Sequence, residues 1–183
     1  MPLPTLQTAR LILRAFELKD VPDIVRLAGA REVAATTLRI PHPYSDNDAE
    51  TFVAAVRRKA DENQAVVFAI TSREDARLFG AVGLEIQEAH NHAELGYWIG
   101  VPYWGHGYAT EAARAVVRFG FNELQLNRIC AMHFVENPRS GNVLRKIGMR
   151  HEGCLRQHVM RWDAFHDLEY YAILRSDPFP EDE

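Results

Sequence analysis

The sequence predicts a single α/β domain, in which helices cover both faces of a mixed and mostly antiparallel sheet of six to seven strands. Two observations predict this fold class. Apolar segments with strand periodicity follow one another with only short turns between them, which indicates antiparallel hairpins. Between residues 93 and 135, a strand, an amphipathic helix and a second strand occur in succession, which indicates a parallel pair joined by a crossover helix.

The N-terminal third of the chain predicts one strand and two helices. Residues Ala9–Phe16 alternate between apolar and polar side chains, as a strand does. Asp20 is a candidate N-cap for a short helix that ends at Leu27. Residues 29–44 are expected to form a loop, and Ser45 is expected to cap the second helix. The apolar positions of that second helix recur at helical spacing: Phe52, Val53, Val56 and Ala60.

The middle of the chain predicts three strands and the longest helix. The strands are Ala65–Thr71, Leu78–Ile86 and residues 93–101, separated by short polar turns. The helix begins after a glycine-containing turn and carries a wide apolar stripe between Ala109 and Leu124. Strand and helix are therefore joined directly at residues 102–108.

The remaining elements complete the sheet. Arg128–Val135 is apolar on both faces and predicts a buried central strand, which Pro138 ends. Asn142–Ile147 predicts a short helix ended by Gly148. Two last strands are expected near residues 150–160 and 168–174.

Composition excludes several classes of protein. The chain has 183 residues, of which 47% are hydrophobic and 25% charged, as in globular domains with a sizeable core. The net charge of −4 gives no reason to expect nucleic acid or an anionic membrane as a partner. No apolar run approaches the roughly 20 residues that span a bilayer, and no secretory signal pattern is present, so a cytoplasmic protein is expected. Residues 1–176 are expected to form the domain and residues 177–183 a flexible C-terminal tail.

Histidine and cysteine do not predict a metal site. Cys130 and Cys154 lack metal-ligand spacing and are expected to be reduced packing residues. His90 and His92 lie in a turn without a carboxylate pattern, so no catalytic metal is expected. His133, on an apolar strand, is expected to be a core histidine rather than a base.

The turn that joins strand 93–101 to the longest helix predicts an anion-binding corner. The first N–H groups of a helix have no internal partner, and the helix dipole adds partial positive charge there. Gly105 and Gly107 permit close approach of a ligand to the backbone. Such a corner suits phosphate or pyrophosphate, although the two glycines match neither a P-loop nor a full dinucleotide fingerprint.

The same residues resemble the acetyl-CoA site of the GNAT (GCN5-related N-acetyltransferase) superfamily. The family turn, Gln/Arg-x-x-Gly-x-Gly/Ala, aligns with Trp104, Gly107 and Ala109, and Trp104 departs from the usual Gln or Arg. The sequence Trp-Gly-x-Gly-Tyr-Ala-Thr-Glu-Ala is similar to the RimJ/RimL branch, which acetylates the N-termini of ribosomal proteins. Further segments resemble this branch along almost the whole chain: Thr8–Arg14, Asn137–Asn142, Lys146–Met149, Glu152–Arg156 and Asp167–Leu174.

The resemblance implies a GNAT fold with a splayed central strand pair and a binding site for acetyl-CoA between these strands. The backbone of Tyr97, Trp98 and Ile99 is expected to contact the pantetheine arm. The pyrophosphate is expected at the turn and helix start, formed by Trp104, Gly105, His106, Gly107, Tyr108, Ala109 and Thr110. The far wall is expected to contain Asn137, Ser140 and Asn142, and Lys146 or Arg145 to reach a phosphate of the nucleotide end.

Acetyl transfer to an amine requires a base for the amine proton, donors for the oxyanion and an acid for the leaving thiolate. Glu94, on a mostly apolar strand, is the candidate base, and the alternative is a structural carboxylate paired with an arginine. Leu144 occupies the position where many family members carry a tyrosine that acts as the general acid. Ser140 is the candidate replacement, and a helix N-cap is its alternative role. Backbone N–H groups near Trp98 or Ile99 are candidate oxyanion donors.

These expectations predict an N-acetyltransferase that works by direct attack of a primary amine on acetyl-CoA. A protein N-terminal α-amine is the acceptor that the branch resemblance implies, and a small-molecule amine remains open. Two further alternatives are a non-catalytic acetyl-CoA sensor and a different acyl donor such as succinyl-CoA. The loop 36–44 and the turn 162–166 are expected to frame the acceptor site, and exposed strand edges leave a homodimer open.

Overall fold

The computed structural model describes residues 3–180, which form an eight-stranded sheet with helices on both faces. The strand order is β1-β2-β3-β4-β5-β6-β8-β7, and every neighbouring pair is antiparallel except β5 and β6. The strands are β1 (Leu6–Gln7), β2 (Leu11–Arg14), β3 (Ala65–Ser72), β4 (Leu78–Gln87), β5 (His92–Ile99), β6 (Arg128–Phe134), β7 (Arg150–Arg161) and β8 (Ala164–Leu174). The helices are α1 (Val21–Ala28), α2 (Arg31–Ala35), α3 (Asp46–Asp61), α4 (Tyr108–Asn122) and α5 (Pro138–Lys146).

Each face of the sheet has its own apolar core. The larger core lies under α4 and α5, where helix residues such as Val116 and Leu144 pack on sheet residues such as Leu84 and Ile129. The smaller core lies under α1 and α3 on the opposite face and includes Ile24 of α1. The predicted fold class is therefore confirmed, and the additional strand is the two-residue β1, which pairs only with β2.

The local signals of the sequence explain most element boundaries. Ser45 caps α3 through a reciprocal capping box with Asp48, as its position predicts. Helix α5 begins at Pro138, earlier than predicted, because proline at the first helical position loses no hydrogen bond. Asp20 precedes α1 but makes no cap bond to it. Its carboxylate instead accepts two hydrogen bonds of 2.8 Å from Arg14, so Asp20 occupies the predicted N-cap position without the side-chain bond of a cap.

The predicted C-terminal tail is packed against the domain over its first residues. Asp177 forms an ion pair of 3.0 Å with Arg150, and Phe179 lies beneath the guanidinium group of Arg118 and against the larger core. Residues 181–183 of the predicted tail lie outside the described residues. No helix in the part of the chain that the structure describes has the length and apolarity needed to cross a membrane.

Candidate active site

The central feature of the site is a gap between the two parallel strands. Only residues 92–94 of β5 pair with β6, through Arg128–Cys130. Beyond this point β5 continues along β4, and β6 continues along β8, without a register shift in either pair. The side of β5 that faces β6 therefore has no ladder partner beyond Glu94. The predicted splay is therefore present.

The glycine corner lies at the wide end of this gap. Gly105 and Gly107 have φ angles of +79° and +81°, which only glycine adopts without strain. Gly107 is the N-cap of α4, so the free N–H groups of the first helical turn start directly after it. A Cβ atom on Gly105 would meet no atom within 4 Å, so the space above this backbone is open to a ligand.

Arg10, which directly precedes β2, supports the corner. Its Nε donates to Glu111 at 2.7 Å, its Nη1 donates to the carbonyl of His106 at 3.0 Å, and its guanidinium group lies 4.7 Å from the ring centroid of Tyr108. His106 is the predicted cofactor residue that does not line the cleft, since its carbonyl is taken by Arg10 and its ring stacks on Tyr108. Arg10 has no role in the sequence prediction, because its partners are about 100 residues away.

Trp104, which occupies the position of the usual Gln or Arg of the motif, has a structural role. Its indole Nε1 donates a 2.6 Å hydrogen bond to the carbonyl of Ile99, which fixes the end of β5 relative to the turn. The guanidinium group of Arg139 lies 5.7 Å from its ring centroid, so Trp104 also connects the turn with α5. The departure from the family motif therefore leaves the backbone of the corner held in place.

Glu94 lies where β5 and β6 part, and its half-buried carboxylate lines the cleft. Alternation along β5 places Glu94 on the α3 face of the sheet together with Gly96 and Trp98, because the β4–β5 register contains no bulge. Burial raises the pKa of Glu94, the positive charge of Arg39 opposes this shift, and the negative charge of Glu85 adds to it.

The nearest arginine does not form an ion pair with Glu94. Arg39 instead pairs with Glu85, which also accepts a 2.6 Å hydrogen bond from Lys59. Within residues 3–180, the carboxylate of Glu94 has neither a hydrogen bond nor an ion pair. A half-buried carboxylate without a structural partner, and with a raised pKa, has the environment of a candidate general base.

Two hydroxyl groups form a hydrogen bond on the other face of the sheet from Glu94, the face covered by α4 and α5. Tyr97 of β5 and Ser140 of α5 form an Oη–Oγ hydrogen bond of 2.7 Å, and the Tyr97 hydroxyl also donates to the Ser140 carbonyl at 3.2 Å. Burial raises the pKa of Tyr97 to about 12, although the hydrogen bond with Ser140 acts in the opposite direction. Ser140 lies inside the first turn of α5, whose N-cap is Asn137, so the alternative N-cap role of Ser140 was wrong.

The remaining predicted residues of α5 form the far wall of the same cleft. Asn137, Asn142 and Lys146 all line it. Arg145 does not, because its guanidinium group donates to the hydroxyl of Tyr171 at 2.8 Å and to Oδ1 of Asn142 at 2.6 Å. Of the two candidates for a phosphate contact, Lys146 therefore has the suitable position.

His133 of β6 also belongs to this wall. The imidazole is buried and lines the cleft, and its Nδ1 contacts the carbonyl of Phe134 at 2.8 Å. Its Nε2 lies beneath Gly141, without a hydrogen-bond partner in the described part of the chain. His133 is thus a core histidine, as expected, with only one of its two ring nitrogens satisfied.

The groups described above as lining the cleft surround one continuous space of about 1360 Å³. The loop 36–44 lines this cleft, whereas the turn 162–166, which was expected to frame the acceptor site together with that loop, does not line it. The β7–β8 hairpin instead contacts the loop from outside, through Arg161, which donates to the carbonyl groups of Ala34 and Ile40. Across residues 3–180, no group of three or more His, Cys, Asp and Glu side chains is arranged to hold a metal ion.

Comparisons with known proteins agree with this geometry. Residues 10–150 match the family model described as acetyltransferase (GNAT) domain. The chain is 31% identical to the uncharacterized N-acetyltransferase YoaA of Bacillus subtilis, over 94% of this chain and 97% of the relative. It is 35% identical to the putative ribosomal N-acetyltransferase YdaF of the same species, over 56% of this chain and 57% of the relative. A solved GNAT-family acetyltransferase from Bacillus anthracis superposes with a TM-score of 0.85 at 27% identity, covering 95% of this chain and all of that chain.

The chain therefore belongs to the GNAT family of N-acetyltransferases, which use acetyl-CoA as acetyl donor. The residues present fit this donor. The gap between β5 and β6 offers unpaired strand backbone to an extended arm, and the open space above Gly105 faces the free amide groups of α4.

Proposed function

We propose that the protein acetylates a primary amine by direct attack on acetyl-CoA, and that the acceptor is a protein N-terminal α-amine. The observation that carries this proposal is Glu94, an unpaired carboxylate with a raised pKa at the point where the two parallel strands separate. A base at this position faces both the gap and the acceptor side of the cleft.

Glu94 acts as the general base in this proposal. A bound ammonium group must lose one proton before its nitrogen can attack, and a carboxylate with a raised pKa is a stronger base than an ordinary one. The carboxylate accepts this proton directly or through one water molecule. Because Glu94 has no ion-pair partner among the described residues, no internal contact is broken when it becomes protonated.

The cofactor contacts are assigned to backbone and side chains on both sides of the gap. Acetyl-CoA, when bound, supplies an activated acetyl group as a thioester. The strand backbone at Tyr97, Trp98 and Ile99 orients the pantetheine arm, and an N–H group near Trp98 or Ile99 donates to the developing oxyanion. The pyrophosphate is held by the turn and the α4 amides, and the wall of α5 provides the remaining contacts: Asn137, Ser140, Asn142 and Lys146.

Ser140 and Tyr97 together donate the proton that the leaving thiolate requires. Tyr97 stays protonated at neutral pH, since its pKa is about 12. The single phenolic proton of Tyr97 has two acceptors, the carbonyl oxygen and Oγ of Ser140; when it is donated to Oγ, the Ser140 hydroxyl proton is directed away from Tyr97 and is available to the sulfur. The proton removed from the amine and the proton given to the thiolate are thus handled on opposite sides of β5.

The N-terminal acceptor is supported by sequence relationships. The relative YdaF is named a putative ribosomal N-acetyltransferase, and the Trp104–Thr110 segment resembles the RimJ/RimL branch. Ribosomal proteins are a cytoplasmic class of acceptor, so we place the proposed reaction in the cytoplasm.

The test is the release of coenzyme A thiol from acetyl-CoA with a panel of peptides that have free N-termini and a matched panel of small amines. We expect thiol release with peptides and mass-spectrometric localisation of the acetyl group on the α-amine. The same peptides with blocked N-termini serve as controls. Release only with small amines would overturn the N-terminal assignment, and binding of acetyl-CoA without turnover on any amine would identify a sensor instead.

A further inference from the structure

The floor of the cleft beside Glu94 has a hollow that follows from the sheet register. On the α3 face, paired residues of β3, β4 and β5 form rows that cross the sheet. The row that contains Glu94 also contains Glu85, and the next row consists of Val67, Gly83 and Gly96. Two of the three residues in this second row have no side chain, so the floor is low directly next to the carboxylate.

The two glycines of this row have different roles. A Cβ atom on Gly83 would lie 2.5 Å from the carbonyl oxygen of Val66, so glycine is required there by packing within the sheet. A Cβ atom on Gly96 would meet nothing within 4 Å. Packing therefore does not require glycine at position 96, and the space it leaves is open and lies inside the cleft.

The walls around this hollow are apolar. Val67 and Trp98 border it within the sheet, and Phe52 and Val56 face it from α3. Tyr44 completes the wall from the loop before α3, and burial raises its pKa to about 12, so it stays neutral. All five side chains are half-buried and all line the cleft, which indicates surface that an apolar group covers upon binding.

The charged groups near the hollow are already matched. Glu85 is bound by both Arg39 and Lys59, and these three residues close the end of the hollow beyond Glu94. The only carboxylate of this row that keeps its capacity for a ligand cation is Glu94. A second ammonium group on the acceptor would face Arg39 and Lys59, and like charges in a partly buried site repel each other.

We propose that this hollow is the side-chain pocket of the acceptor, and that the preferred substrate is a primary amine whose neighbouring substituent is branched, apolar and uncharged. The proposal rests on the proposed amine acetylation, because it needs the amino group at Glu94. A leucine-like side chain next to the amine enters the space above Gly96, and the amine then lies against the carboxylate. Both the N-terminal residue of a peptide and a free alkylamine can present such an apolar substituent next to a primary amine.

The experiment measures kcat/KM with acetyl-CoA for peptides that differ only in their N-terminal residue: Leu, Ala, Ser and Lys. A second arm compares isopentylamine with putrescine, so that a free amine is distinguished from a peptide. We expect the Leu peptide to exceed the Ala peptide by about tenfold or more, because one methylene in a fitted apolar pocket contributes roughly 10–200-fold. We also expect isopentylamine to exceed putrescine.

Matched variants locate the preference in the hollow. Ala55 lines the cleft on α3, whereas its neighbour Ala54 is exposed and does not line it, so Ala55→Leu and Ala54→Leu make the same change on two sides of one helix. Ala55→Leu and Gly96→Val are expected to abolish the preference for Leu over Ala while keeping the affinity for acetyl-CoA. Ala54→Leu is expected to retain the preference.

The outcomes separate the two proposals. Acetylation of all peptides at similar rates, or an Ala55→Leu variant that keeps the wild-type preference, would overturn the pocket and leave the acetyltransferase function standing. Faster transfer to putrescine than to isopentylamine would also overturn it. Acetyl transfer to none of the amines would overturn both proposals.

Discussion

Exchanging Glu94 for Gln removes a proton acceptor and preserves the shape of the side chain. Since the carboxylate of Glu94 has neither a hydrogen bond nor an ion pair within residues 3–180, the substitution leaves no buried partner unsatisfied. The expected loss is therefore that of a general base alone, about 10²–10⁴-fold in kcat. The affinity for acetyl-CoA is expected to stay unchanged, because Glu94 lies on the α3 face and the glycine corner at the far end of β5.

The same substitution is expected to stabilise the fold at neutral pH. Burial raises the pKa of the Glu94 carboxyl above its ordinary value, so ionisation is less favourable in the folded than in the unfolded chain. A carboxyl with a raised folded-state pKa favours folding when it is protonated, and this contribution is lost as the pH rises through that pKa. Glutamine stays neutral, so its advantage appears at pH 7 and disappears below the unfolded-state pKa, about 4.3.

The assay combines thiol release under saturating acetyl-CoA, calorimetric affinity for acetyl-CoA and thermal unfolding at pH 7 and pH 4. Glu88→Gln, at an exposed position in the turn between β4 and β5, is the matched control and is expected to behave as wild type. Loss of activity together with a higher unfolding temperature at pH 7 distinguishes lost chemistry from a damaged fold. A Glu94→Gln enzyme with wild-type kcat would refute the assignment of the base.

Three further experiments test other contacts of the site. Arg39→Gln removes a charge that lowers the pKa of Glu94, so the acidic limb of the kcat/KM profile should move to higher pH, and a shift to lower pH would contradict this. Tyr97→Phe should lower kcat by about 10²-fold. If Tyr97 and Ser140 act as one unit, the double variant Tyr97→Phe/Ser140→Ala should have a kcat no lower than that of the slower single variant. A double variant whose loss in kcat equals the product of the two single losses would show that the two residues act independently. Gly107→Ala places a side chain at φ +81°, which costs roughly 1–2 kcal/mol. Calorimetry should therefore show weaker binding of acetyl-CoA, and a wild-type affinity would argue against pyrophosphate binding at the glycine corner.

The elements that the sequence predicted are those whose signals are local. The capping box of α3 and the alternation of the long strands are local signals, and these elements are present with nearly the predicted bounds. Helix α2 was missed within the expected loop because its five residues have no capping side chain. Strand β1 was missed because two residues become a strand only by pairing with β2, which no pattern within them encodes.

The candidate site also contains parts that have a local sequence signal and parts that have none. The corner could be predicted because strand, turn and helix are continuous in sequence. The contacts that hold it join distant segments, such as Arg10 with Glu111, which are 101 residues apart. Pairing of Arg39 with Glu85, rather than with Glu94, depends on where a loop crosses the sheet and has no local signal. The hollow at Gly96 required the register of three strands, since a glycine in one strand does not reveal what lies above it.

The hydroxyl pair bears on the choice between an enzyme and a sensor. Position 144, where many members of the resembled family carry a tyrosine, is occupied by a fully buried leucine that packs in the larger core. Tyr97 brings a phenol to the first turn of α5 from the opposite side, through strand β5, and bonds Ser140. Leu144 therefore does not leave the cleft without an ionisable hydroxyl. The absence of a tyrosine at position 144 gave the non-catalytic alternative some weight, and the Tyr97–Ser140 pair offsets this by providing hydroxyl groups in the same cleft.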